Sequence, residues 1–266
     1  MPEGHTLHRL ARLHQRKFGR QTVAVTSPQG RFAAAAAARL DGQVFSRAEA
    51  WGKHLVHRYA GGDLVHIHLG LYGSFSDGPS PLPPPVGQVR MRMATDEYGT
   101  DLRGPTACEL FTPADLAALT SRLGPDPLRK DADPSRTWNA IAKSRKSIGA
   151  LLMDQKVLAG VGNVFRAEVL FRVSINPFRA GNEVSRDEWD AIWADLVTLM
   201  TVGVRRGKIH VIRPQDDHGA ASYGPGRPRT YVYRRTGEPC RICGTPVLMT
   251  DMAARKVYWC PVCQAD

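Results

Sequence analysis

The 266-residue chain has no apolar run long enough to cross a bilayer. Its opening residues are polar and basic without an apolar core segment. No signal peptide is therefore expected, and a cytoplasmic location follows by default, nucleoid-associated if the source is bacterial. No basic amphipathic stretch carries a broad aromatic face, which argues against a membrane surface as partner. Cysteine is scarce: five residues, four of them between 240 and 263 in CxxC pairs. That pattern argues for a metal and against a disulfide framework. The fifth, Cys108, reads as a small buried hydrophobe. Acidic residues are also few, 25 against 36 Lys and Arg, for a formal net charge of +11. Such a surplus suits a polyanion, nucleic acid first. There is no internal repeat.

What is there reads as an α+β protein. Residues 22 to about 110 carry short, partly alternating runs, "QTVAV", "QVFSR", "HLVHRY", "DLVHIHL" and "VRMRMA", with turns between them. "SDGPSPLPPPVGQ" reads as a loop inside this region. A first domain is expected over 1–115 and a Pro-rich linker over 116–134. A helical domain follows over 135–229, and a small module over 230–266. "TWNAIAKSRKSIGALLMDQK" reads as helical, and "VLAGVGNVFRAEVLFR" resumes helically after a Gly-rich turn. Ser185 and Glu188 form a capping box before "DAIWADLVTLMTVGVRR". "RPQDDHGAASYGPGRPR" reads as a mobile loop.

Four stretches carry chemistry. Cys240, Cys243, Cys260 and Cys263 have the spacing of a tetrahedral four-thiolate zinc site on two knuckles. All four positions are filled by protein, so the metal is structural, and it supplies folding energy that so small a module lacks. Between the knuckles lies a hairpin with Arg255 and Lys256 at its tip, either a solvated turn or a basic finger. In "LAGVGNVF", Asn163 sits at a helix start, where free N–H groups and the dipole suit a phosphate; Lys156 lies just before. Lys53 begins a strand after a Gly turn, a place where a basic residue is often plain surface. In "HIHLGLYG", Leu71 and Tyr72 stand between Gly70 and Gly73, as core or as a wedge for a base stack. The chain opens "MPEGHTLHRLARLHQR", with Leu7, Leu10 and Leu13 at helical spacing, which predicts a helix from about residue 4 with Pro at its first turn.

"PEG", "GK" near residue 53, "HLGxxG", "LLMDQKVLAGVGNVFRAEVLF" and "ARKVYWCPVCQ" occur in the order seen in formamidopyrimidine-DNA glycosylase and endonuclease VIII. The chain resembles that family over essentially its whole length. The resemblance implies an N-terminal helix with a β-sandwich, a helical domain with a helix–two-turn–helix motif, and a β-hairpin zinc finger holding one structural zinc. It implies a glycosylase and AP lyase of base excision repair, acting on damaged DNA as a monomer. Met1 would be removed, leaving Pro2 as nucleophile and Glu3 as its acid/base partner. Lys53, Asn163 and Arg255 match the family's catalytic and phosphate-binding basic positions, and His68 and Lys156 are expected at the DNA. "GLYG" is closer to the endonuclease VIII pattern than the Met-bearing loop of the 8-oxoguanine branch. Oxidised pyrimidines are therefore favoured, with strand cleavage by β- or β,δ-elimination. The segment near 213–226 sits where some members cap the flipped base. After "PEG" the chain has His5-Thr6 where the family often has Pro-Glu.

Two other classes compete. A non-catalytic damaged-DNA-binding protein on the same scaffold fits the charge, the finger and Asn163 equally well, and only Pro2 with Glu3 tells against it. An RNA-binding zinc-ribbon protein leaves the helical Gly-turn motif unexplained.

Overall fold

The computed structural model describes residues 2–219 and 222–265, so Met1, with its expected removal, and part of the 213–226 segment lie outside it. The chain divides into two compact units, Met1–Arg122 and Leu123–Asp266. Among the described residues no helix is long and apolar enough to cross a membrane.

Unit 1 begins with α1 (Gly4–Phe18), which buries Leu7, Leu10, Ala11, His14 and Phe18 along one stripe. Pro2 lies before the N-cap, Glu3, and so outside the first turn. The strands form two four-stranded antiparallel sheets. One has β1 (Ala24–Thr26), β6 (Val89–Ala94), β7 (Tyr98–Arg103) and β5 (Ser74–Pro79) in that spatial order. The other has β2 (Phe45–Trp51), β3 (His54–Tyr59), β4 (Leu64–His68) and β8 (Ala107–Phe111). Both sheets and α1 feed one core, including Phe18, Phe45, Leu55, Ile67, Met91, Met93 and Leu102. The strict alternation of "VRMRMA" is what a half-buried strand requires: Val89, Met91 and Met93 are buried, and Arg92 turns outward to Asp101 of β7 at 2.7 Å. Cys108 is buried as expected, and burial pushes its thiol up to about 12.

Three elements depart from the sequence reading. β5 occupies the start of the expected loop; it is an edge strand, where Pro79 breaks no ladder on its open side. α2 (Ala34–Leu40) forms in the polyalanine run. α3 (Pro113–Ser121) extends into the expected linker, started by a Thr112–Asp115 capping box, and buries Leu116 against Val56 and Leu64.

Unit 2 holds α4 (Pro134–Ile141), α5 (Ile148–Leu151), α6 (Asn163–Arg172), α7 (Arg186–Arg206) and the hairpin of β9 (Leu248–Met252) with β10 (Arg255–Trp259). The helix expected over residues 137–156 is broken. Residues 146–149 pair instead with 177–181: Ile148 N donates to Arg179 O at 2.8 Å and Gly149 N to Pro177 O at 3.0 Å. The Ser185–Glu188 capping box starts α7, and Gly207 ends it at φ 71°. The cysteine-bearing segment is not packed apart: Val247, Tyr258, Cys240 and Cys260 share one core with Phe165, Leu170, Trp189 and Leu196.

A buried imidazole pair locks α1 to the sandwich. His14 Nδ1 and His57 Nε2 are 2.9 Å apart, and His14 Nε2 faces Asp77 at 3.8 Å. One of the two facing nitrogens must donate to the other, so a single hydrogen is shared across the pair. Burial, then repulsion from His14, holds His57 well below the usual histidine range. Burial likewise pulls His5 down to about 4 and His54 to about 3. Below about pH 6.5 the unfolded histidines bind protons that the folded ones refuse, so stability falls with acidification, by up to about 2 kcal/mol per such group at pH 5. Denaturant melts at pH 7 and pH 5 should show that loss, and His57→Gln should flatten the pH dependence. An unchanged slope in the variant would detach His57 from the effect.

Candidate active site and metal centre

Unit 1 carries the residues expected to do the chemistry. Extended backbone at Glu3 (φ −120°, ψ 179°) lets its carbonyl accept from Thr6 N at 2.8 Å, and α1 then runs unbroken to Phe18. Glu3 is 0% exposed, and Pro2 beside it is half-buried. His5 and His8, one turn on, are also buried. The first helical turn is thus a fixed mount for residues 2 and 3, built by the apolar stripe that seats α1.

Lys53 stands in the two-residue turn Gly52-Lys53 that joins the paired ends of β2 and β3, Trp51 and His54, and is half-buried. His68 ends β4 directly opposite His54. The next four residues make a tight turn in which Gly73 N donates to Leu69 O at 2.9 Å. Both flanking glycines are required. Gly70 has φ +66°, and a Cβ at Gly73 would come 2.3 Å from Leu69 O. The turn pushes Leu71 and Tyr72 outward, 48% and 87% exposed. They are therefore not core residues, which was the plainer of the two sequence readings.

Unit 2 holds the remaining candidates. α5, the turn through Gly160 and α6 form the helix–turn–helix segment. Gln155 ties that turn, donating to Met153 O and Val161 O and accepting from Gly160 N, each at 3.0 Å. Residues 163–171 of α6 are all buried, so its polar side chains need partners. Asn163 Nδ2 donates to Lys256 O at 3.0 Å, and Arg166 Nη2 donates to the same carbonyl at 2.9 Å and to Asn163 Oδ1. The Asn163 amide, expected at a phosphate, is thus occupied in bracing the hairpin. Glu168 accepts from the N–H groups of Tyr231, Val232 and Tyr233 at 2.7, 3.0 and 2.8 Å. Burial raises the Glu168 carboxyl, and these three donors oppose the rise. Gln155, Arg166 and Glu168 were not singled out from sequence. The signal for the last two was present: two charged residues on a helix otherwise apolar, in "VFRAEVLF".

The β9–β10 hairpin turns on Ala253 and Ala254, both left-handed at φ 50° and 58°, and presents Arg255 and Lys256 exposed at its tip. Lys156 is exposed, with its backbone N–H on Asp154 at 3.0 Å. The segment near 213–226 is tied near its start, where Tyr231 Oη donates to Asp216 and Arg229 Nη1 to Asp217, each at 2.5 Å.

The four cysteine sulfurs all lie within 4.8 Å of one another, with Cys240–Cys263 at 3.8 Å and Cys243–Cys260 at 3.4 Å. Four thiolates at about 2.3 Å from a tetrahedral zinc stand about 3.8 Å apart, so the donor set and its spacing fit one structural zinc. The knuckle N–H groups of Ile242 and Cys263 point at Cys240 and Cys260 sulfurs at 3.5 and 3.4 Å, as zinc thiolates favour. Chelation, or Cys243→Ser, should release about one zinc per chain and unfold the hairpin while leaving the sandwich intact. Zinc analysis with hydrogen exchange checks this, and a protected hairpin in metal-free protein would refute it.

Three family models match successive stretches of the chain. The formamidopyrimidine-DNA glycosylase N-terminal domain matches residues 1–108 and the H2TH domain residues 123–214. The zinc finger found in FPG and IleRS matches residues 237–265. Endonuclease 8 1 of Mycobacterium tuberculosis is 62% identical over 268 residues, covering 99% of this chain and 100% of the relative. Formamidopyrimidine-DNA glycosylase of Thermomicrobium roseum is 31% identical over 80% of this chain and 79% of its own. A Lactococcus lactis FPG mutant, solved in complex with Fapy-dG-containing DNA, shares the fold with a TM-score of 0.81 at 21% identity over the full length of both chains. The chain belongs to the formamidopyrimidine-DNA glycosylase and endonuclease VIII family.

Proposed function

We propose that this protein is a base-excision-repair DNA glycosylase and AP lyase that removes oxidised bases, pyrimidines preferentially, with Pro2 as nucleophile. The observation that carries the reading is the mount of Pro2 and Glu3, a half-buried proline and a fully buried carboxyl ahead of an ordered α1. Damaged DNA is the partner, met by a monomer in the cytoplasm. With Met1 gone, the Pro2 nitrogen is a secondary α-amine, ordinarily near pKa 8 and far below lysine, so a useful fraction is unprotonated at neutral pH. That nitrogen attacks C1′ of a nucleotide turned out of the stack. The C1′–base bond breaks, the base leaves with a proton, and loss of the ring oxygen's bond to C1′ gives an iminium. Glu3 is the group that moves protons at the sugar. The cationic nitrogen acidifies the C2′ proton, and its loss expels the 3′ phosphate; the reaction ends there or continues, by loss of the C4′ proton, to expel the 5′ phosphate. Water then releases Pro2.

Lys53, His68, Lys156 and Arg255, the last from the finger, are assigned to the phosphates, and Asn163, whose amide holds the Lys256 carbonyl, to positioning that finger beside them. Leu71 and Tyr72, exposed on a glycine-flanked turn, are assigned to the gap left by the flipped nucleotide. The "GLYG" turn, closer to the endonuclease VIII pattern, supports the pyrimidine preference.

Three outcomes test the reading. Borohydride added during turnover should trap a covalent DNA adduct on Pro2. Glu3→Gln should bind damaged duplex normally, excise intact oxidised bases at least a hundredfold more slowly, and keep more of its cleavage at preformed abasic sites. Full activity in protein that retains Met1, with no adduct, defeats it. Leu71→Ala with Tyr72→Ala should lower excision from duplex at least tenfold more than from single strands, because only the duplex must be unstacked. Equal losses on both substrates would remove these residues from the gap.

A further inference from the structure

Three strands of the β2-β3-β4-β8 sheet place four titratable groups on one face. His54 lies opposite His68, and His66 lies opposite Glu109. Glu109, His66 and His54 are hydrogen-bonded in series, and His68 lies beside the ring of His54. His66 Nδ1 is 3.1 Å from Glu109 Oε1, and His54 Nδ1 is 2.9 Å from His66 Nε2. The His54 and His68 rings are 4.9 Å apart, and Phe111 stacks on His66 at 4.3 Å.

The chemistry of the series has one direction. A carboxylate only accepts, so His66 carries its proton on Nδ1 and accepts at Nε2. His54 must then donate from Nδ1, which leaves its Nε2 as a lone pair at the open end. In the free protein all three rings are pulled below the ordinary histidine range, which favours their neutral forms. Burial lowers His54 first, then repulsion from His66, His68, Arg122 and Lys53. Burial lowers His68 first, then His66 and Lys53. His66 is lowered by burial in spite of Glu109. The groups facing the row are thus Lys53 from the β2–β3 turn, Arg122 at the end of α3, and Glu109 from β8. A phosphate at Lys53 would cancel the repulsion that Lys53 contributes, and the exposed Glu109 carboxylate stands at the far end to balance an added proton.

We propose that docking of a DNA backbone phosphate beside Lys53 and His68 draws a proton into the His54–His66–His68–Glu109 row, so that DNA binding by this protein is proton-linked. The proposal rests on the DNA reading above. The added charge sits where the backbone passes, next to the turn that carries Leu71 and Tyr72. Neutral imidazoles make the empty site less repulsive to itself, and the phosphate supplies the anion that makes the extra cation favourable.

Titration calorimetry with a duplex holding a tetrahydrofuran abasic analogue tests it, run near pH 6.5 in buffers of different ionisation enthalpy. The buffer-dependent heat should report uptake of about half to one proton per complex. Affinity measured by anisotropy should tighten several-fold from pH 8 to pH 6 at fixed salt. The salt slope should steepen by up to about 0.9 over the same range, the increment for one further phosphate neutralised. Glu109→Gln, an exposed change that should not disturb folding, should cut the proton uptake and flatten the pH dependence while leaving pH 8 affinity within twofold. His54→Gln should do the same. Uptake unchanged in both variants, or no buffer-dependent heat at all, overturns the proposal. Lys53→Ala separates the two readings. If it weakens binding at every pH while no proton is taken up, only the linkage fails. If it leaves binding unchanged, the assignment of this face to DNA fails.

Discussion

A charge cannot be left alone in an apolar interior, and unit 2 is arranged around two that are not. Arg166 and Glu168 project from a helix whose residues 163–171 are buried, and each reaches a different part of the C-terminal segment. Arg166 takes the carbonyl of Lys256, beside the hairpin tip. Glu168 takes three successive N–H groups where the chain enters the zinc-bearing segment. Removing either partner of such a contact strands a buried polar group, at about 1–3 kcal/mol for each one left unmet. The finger is therefore held at both ends by one helix, and the metal closes what remains.

Unit 1 answers a different constraint, that the terminus proposed as reactive must have a fixed address. Ends of chains fray unless they are tied down. Here the tie is α1, wedged into the sandwich by Leu7, Leu10 and Phe18 and pinned through His14 to His57. The sandwich uses histidine as a polar group that burial keeps uncharged, in the core at His57 and on the outer row at His54 and His66. A lysine in those places would bring an obligate charge, and an asparagine could not take one up.

Period and spacing made much of this readable in advance. The four cysteines announced the zinc site, the alternation of "VRMRMA" announced β6, and Ser185 with Glu188 announced α7. Elements whose reason is tertiary were not readable. β5 is disguised by Ser, Asp, Gly and Pro that only an edge position tolerates. The break between α4 and α5 comes from pairing with residues about thirty positions ahead, which no local pattern encodes. The same limit applied to side chains. Asn163 was legible as a helix start, but its engagement with Lys256 depends on a strand nearly a hundred residues away. Leu71 and Tyr72 look like core in composition, and only the geometry of a turn with glycine at both ends shows that they face solvent.

The alanine pair at the hairpin tip makes that tip a loaded spring. A left-handed residue with a Cβ costs about 1–2 kcal/mol, and Ala253 and Ala254 are both in that conformation with no glycine to relieve them. Local preference alone would open this turn. It is kept shut by the ladder between β9 and β10 and by the thiolate knot below. A zinc held by the four thiolates would close the base of the hairpin and oppose that backbone tension. Two methyl groups that look dispensable in the sequence give the finger its stiffness, since a glycine pair would accept the same bend and many others besides.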